Sequence, residues 1–274
     1  SFQTEILLTI IKSVIETGKL KKEKLFDALL ELWETENFQQ KGLSTGAVLE
    51  KIIAGEKPDK ALASVGKADY TPLLRGISAG LWCYDEKLKN FVKNSALTAE
   101  ITHKDYRVIA GTVAVAAAAA YLAGSEPPLK TKEFLNYVAT AANEIDDKMA
   151  EYIYSIIKLS GKDVESAEMK LKKTGNDDFS PYSDGGGVPA FSISVLLISI
   201  YHFITNSTDF HALISSLVKS GGAINATCTL AGGLWGAFNG YNKLPAHLAT
   251  SLYNKETIYT LAVKFCKMKW GISG

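Results

Sequence analysis

Three stretches of the chain, residues 108–125, 185–208 and 220–242, carry no charged side chain at all. Runs of that length have no solvent-facing stripe, so they belong either inside a large helical bundle or across a membrane. Composition decides between the two. The first and third runs are mostly alanine and glycine and only weakly hydrophobic, and the second holds Ser192, Ser194, Ser199, Tyr201 and His202 behind Pro189. The expectation is therefore a set of helices buried on all sides, with no membrane association. In the third run, SGGAINATCTLAGGLWGAFNG at 220–240, Gly232, Gly236 and Gly240 recur at four-residue spacing. That spacing puts them on one helical face and predicts close approach by another backbone there. A glycine inside a helix costs about 1 kcal/mol against alanine, so several in one helix imply a packing or functional reason. The helix start at Gly221–Gly222 is expected to face a site.

Elsewhere, apolar periodicity marks helices at 4–17, 23–34, 44–54, 71–83, 87–99, 104–123, 130–142, 144–159, 164–173, 189–205, 208–219, 222–239 and 255–269. Alternating β-branched runs closed by hairpin turns are missing, so the fold class is all-α, in one compact multi-helix domain over residues 1–274. Residues 174–188, TGNDDFSPYSDGGGV, form the one long irregular stretch, a length that in compact domains marks a functional edge. The acidic run at 145–147 and the basic run KLKKT at 170–174 read as exposed helix faces.

Thirty Lys and Arg against 29 Asp and Glu leave no field to attract nucleic acid, so no nucleic-acid partner is expected. Cys83, Cys228 and Cys266 are odd in number, far apart and set among apolar neighbours. They fit reduced, buried thiols rather than a disulfide framework or zinc site. With no leader signature in SFQTEILLTIIKSVIETGKL, the location expected is cytoplasmic.

Several segments, in order, resemble the ADP-ribosylglycohydrolase family, of the dinitrogenase reductase-activating glycohydrolase and J1 crystallin type. GGAINATCTLAGGLWGAFNG follows the frame of the family's GGDTDT signature and its Ala/Gly-rich helix through Gly221, Gly222, Ala231, Gly232, Leu234, Gly236 and Ala237. SFQTE at 1–5 and GLSTGAVL at 42–49 resemble its early S/T-D-D-T and G-x-G-x-x-T motifs. LLRGISAGLW at 73–82 matches its M-R-x-x-P-x-G-L segment through Arg75, Gly80 and Leu81. ITHKDYRVIAG matches its T-H-x-D helix through Thr102, His103 and Asp105, and VPAFSISVLLIS resembles the helix before the late signature. The family's G-x-x-x-G-D-A-x-G segment lies upstream of these motifs and is expected to be missing from the chain as it stands.

The resemblance implies an all-α domain in which two magnesium ions, held by two aspartate motifs, position a water against an ADP-ribosyl bond. Carried over residue by residue, the first pair of aspartates falls on Phe2 and Gln3 and the second on Ala223 and Asn225; the metal-binding threonines fall on Thr4 and Ala226. Hard cations need several carboxylate oxygens, which this set does not supply, so no metal cofactor is expected. The expectation is a degenerate member that has lost metal-dependent hydrolysis and serves as a binding or structural protein. An ADP-ribose-like ligand or a protein would then be its partner. The ligand-binding candidates are Thr4, Arg75, Tyr182, Gly222 and Asn225: Arg75 for a phosphate or a buried carboxylate, Tyr182 for stacking on an adenine. The alternative is an active hydrolase that cleaves N- or O-glycosidic ADP-ribosyl bonds at a non-standard site. Two carboxyls normally flank such a bond. The catalytic candidates are Asp184 (with Asp177 and Asp178 in the same loop), Glu5 and His103.

Overall fold

The computed structural model describes residues 2–35, 43–63, 68–159, 161–176 and 186–271. Fifteen α-helices follow in order among these residues. The first seven are α1 (Phe2–Thr17), α2 (Lys22–Thr35), α3 (Leu43–Ile53), α4 (Pro58–Ala63), α5 (Thr71–Cys83), α6 (Leu88–Glu100) and α7 (Tyr106–Ala123). The rest are α8 (Thr131–Asn143), α9 (Asp147–Leu159), α10 (Val164–Lys173), α11 (Ser192–Thr205), α12 (Phe210–Ser220), α13 (Ile224–Asn239), α14 (Ala246–Ser251) and α15 (Lys255–Trp270). No strand occurs among the described residues; Val188 and Gly222 form an isolated parallel bridge. The all-α expectation holds.

Local chemistry sets several boundaries. Asp105, Asp163 and Asp209 each cap a helix, their carboxylates accepting from the backbone N–H of Arg107, Ser166 and Ala212 at 2.9 Å. α9 starts at Asp147 rather than 144, and α11 at Ser192 rather than 189. The second shift has a tertiary cause: Ser192 N–H donates to Ala68 O at 2.8 Å, which ties the extended 188–191 segment to the loop before α5.

At the centre lies α7, the only described helix long and apolar enough to cross a membrane, and here it is enclosed by other helices. Its alanines at 114, 116, 117, 118 and 119 are fully buried. α5 packs against it where Gly76 and Gly80 leave no side chain. A Cβ on Gly80 would lie 2.0 Å from Ala116 O, and one on Gly76 2.6 Å from Thr112 O. The main core joins α5, α7, α8, α9, α11 and α13 through residues such as Leu73, Phe134, Ile153, Phe203 and Trp235. A second cluster unites α1 and α2 with Ile101 and Phe265, and a third places α6 against the other side of α7.

The close approach expected at Gly232, Gly236 and Gly240 is not there: nothing lies within 4 Å of a Cβ built on any of the three. The crowded glycine of α13 is Gly233, whose Cβ would meet Ile77 Cδ1 at 2.5 Å. Gly240 instead ends the helix at φ +77°, a conformation side chains disfavour.

Candidate functional site

The start of α13 is tied to the segment before α11 by main-chain hydrogen bonds. Gly221 and Gly222 both adopt positive φ, +68° and +69°. Val188 N–H donates to Gly221 O at 3.1 Å, and Ala223 N–H donates to Val188 O at 2.9 Å. The two strands of chain touch so closely that a Cβ on Gly222 would sit 2.2 Å from Val188 O, and one on Gly187 2.4 Å from Gly222 N. Beyond this clamp, Ala223 is half-buried and Asn225 exposed, and no side chain caps the helix.

At the other motif, Thr4 and Glu5 lie half-buried in the first turn of α1. Glu5 opens onto a groove of about 390 Å³ between α1 and α2, shared with Lys12, Glu16, Lys24, Asp27 and Glu31. The side chains of Phe2 and Gln3, and the whole of Asp177, Asp178, Tyr182 and Asp184, lie outside the described residues.

Arg75 is fully buried. One of its terminal nitrogens donates to Thr98 O and to Thr102 Oγ1, both at 2.8 Å, and the other to Thr45 Oγ1 at 3.3 Å. Thr98 lies in the last turn of α6, where the negative end of the helix dipole favours a cation. Loss of hydration pulls the guanidinium down to about 10, and the nearby Asp69 carboxylate works the other way. Three threonines hold it, Thr98 through its main-chain carbonyl near the end of α6. His103 stands beside it, 1% exposed. Its Nδ1 lies 2.9 Å from Thr102 Oγ1 and its Nε2 3.5 Å from Asp69 Oδ1, an oxygen that accepts from Thr71 N–H. Arg75, Thr102, His103 and Asp69 thus form one polar knot joining α5, α6 and the start of α7.

A second polar cluster was not anticipated. Lys172, in the basic run read as an exposed face, is only 5% exposed. Its ammonium reaches Glu168 Oε2 at 3.1 Å, Gly186 O at 2.8 Å and Ser220 O at 3.1 Å. The second Glu168 oxygen meets His202 Nε2 at 3.0 Å and accepts from Ser220 Oγ at 2.9 Å. Burial works to raise the Glu168 carboxyl, yet the hydrogen bonds from His202, Lys172 and Ser220 outweigh it and bring it down to about 2. The signal in the sequence was the Glu168–Lys172 pair one helical turn apart. Glu168, Lys172 and Ser220 line a cavity of about 600 Å³ together with Gly186, Gly187, Gly221 and Gly222. Lys172 therefore braces both chain segments of the backbone clamp.

The cysteines are free; Cys83 is buried, while Cys228 and Cys266 are only partly so.

A di-magnesium centre does not fit the donors in view. Thr4 and Asn225 offer neutral oxygens, Ala223 none, and Glu5 a single carboxylate turned toward α2. Among the described residues no three His, Cys, Asp or Glu side chains gather as a ligand set.

A single helical domain wrapped on an alanine-rich axis, with a glycine clamp opening its late Ala/Gly helix, defines an ADP-ribosylglycohydrolase-type fold. The sequence profile of the ADP-ribosylglycohydrolases matches residues 1–271, and the chain belongs to that family. It is 23% identical over 265 residues to an uncharacterized protein of Archaeoglobus fulgidus, an alignment that covers 97% of this chain and 79% of the other. A solved structure titled ADP-ribosylglycohydrolase-related protein complex superposes with a TM-score of 0.72 at 18% identity, covering 98% of this chain and 81% of its own.

Proposed function

We propose that this protein is an ADP-ribosylglycohydrolase-fold member that no longer hydrolyses ADP-ribosyl bonds through bound magnesium and acts by binding an ADP-ribose-like ligand. One observation carries the reading: the start of α13 keeps its frame through Gly221, Gly222 and Val188, while Ala223 and Asn225 put no anionic oxygen where the family's chemistry requires two. The frame without carboxylates suits a phosphate better than a cation, because the positive end of the helix dipole lies there. Replacing closely spaced carboxylates by neutral groups also removes mutual repulsion, so the fold needs no ion there. A metal-free hydrolase using Glu5 or His103 is less well supported: His103 is enclosed beside Arg75, and Glu5 opens onto the α1–α2 groove. Three free cysteines suit a reducing compartment, and we place the protein in the cytoplasm.

Titration calorimetry of ADP-ribose into the protein, once with Mg²⁺ and once with EDTA, tests the reading. The expected result is saturable binding with the same affinity in both. Binding that requires Mg²⁺ would overturn the assignment of Phe2, Gln3, Ala223 and Asn225 as non-ligands. No binding in either condition would transfer the function to a protein partner or a structural role.

A further inference from the structure

Away from the start of α13, a cavity of about 490 Å³ opens between α6, the end of α7 and α8, lined by Glu86, Leu88, Phe91, Tyr121, Glu133 and Tyr137 among others. The rings of Tyr121 and Tyr137 stand 5.5 Å apart and tilted by 50°, a wedge rather than a stack. Tyr121 is backed by Phe134 at 5.6 Å, which fixes its ring. Glu86 is held in place by Asn94 Nδ2, which donates to it at 2.7 Å. The charged side chains lining this cavity are both carboxylates. Lys130 pairs with Glu133 at 3.5 Å, but both are more than half exposed, and such pairs hold weakly.

Aromatic faces attract cations through the ring quadrupole, and carboxylates strengthen the same field. An ordinary ammonium is a compact, strongly hydrated charge and gives up that water at a cost to reach an aromatic face. A quaternary ammonium has no N–H to satisfy, and its methyl groups pack on apolar carbon such as that of Leu88 and Phe91. We propose that this cavity binds an organic cation bearing a quaternary ammonium group, held by Tyr121 and Tyr137 and neutralised by Glu86 and Glu133.

The test is calorimetric titration of the whole protein with choline, with choline's neutral tert-butyl isostere, and with a peptide carrying trimethyl-lysine. Choline or the peptide is expected to saturate, with the isostere weaker by about tenfold or more; whichever cation binds tighter identifies a small molecule or a methylated chain as the source. Tyr137→Leu and Glu133→Gln, both at exposed positions, should each weaken the cation at least about fivefold while leaving the circular dichroism spectrum unchanged. Equal affinity for the neutral isostere would reduce the site to an apolar pocket and overturn the proposal. So would wild-type affinity in Tyr137→Leu, or no saturation by either cation.

Discussion

Substituting Gly80 by alanine tests the central contact of the fold. The new Cβ would sit 2.0 Å from Ala116 O and 2.7 Å from that residue's Cα and carbonyl carbon, about 1.4 Å short of ordinary contact. The obstacle is the backbone of a buried helix, so no rotamer change relieves it. α5 and α7 must separate, and both lose contacts along their length. Overpacking costs about 1–3 kcal/mol where side chains can yield, so against backbone about 3 kcal/mol or more is expected. Gly76→Ala, with its nearest atom at 2.6 Å, should cost less. Gly236→Ala meets nothing within 4 Å and should gain about 0.5–1 kcal/mol from helix propensity. Urea unfolding followed by far-ultraviolet circular dichroism reads all three, provided the slope with denaturant is unchanged. The reasoning fails if Gly80→Ala unfolds at the same midpoint as Gly236→Ala, for then the glycines of α5 do not set the helix spacing.

Two other outcomes follow from buried groups. The Glu168 carboxyl is lowered on folding, from 4.5 to about 2. Its contribution is therefore complete above the unfolded value and lost as pH falls through about 2. Glu168→Gln should be less stable than wild type at pH 7, by something on the order of 3 kcal/mol. That gap should close between pH 4.5 and 2 in denaturant titrations; a gap independent of pH would mean that charge is not what Glu168 contributes. Cys83 is fully buried, and burial beside Glu86 pushes its thiol up. Under native conditions a thiol reagent at mild alkaline pH should label Cys228 and Cys266 first and reach Cys83 only on unfolding. Early labelling of Cys83 would contradict its enclosure.

Much of this architecture could be read from the chain, because long buried helices leave apolar runs that nothing else explains. Helices of six residues leave no such trace. α4 behind Lys57 and α14 behind Pro245 are too short to complete a periodic stripe, and both went unread. Glycine spacing misled for a related reason. A four-residue repeat in α13 says which residues share a face, not whether that face meets a neighbour, and the helix that needed bare backbone was α5. The ends of the family motifs were legible as text, since the identity of a residue at position 223 or 225 is not a matter of folding. The cluster of Glu168, Lys172, His202 and Ser220 was not. Its members come from three helices, and only their packing together distinguishes Lys172 from the exposed lysines 170 and 173 on either side.

The backbone clamp at Gly187 and Gly222 bears on how such a site can change its chemistry. Position there is transmitted from main chain to main chain, through carbonyls and amides that every residue shares. Side chains at 223 and 225 hang from this joint without forming part of it. A joint of that kind separates where a residue stands from what the residue is. The residues at the helix start are therefore open to change while the clamp that places them stays as it is.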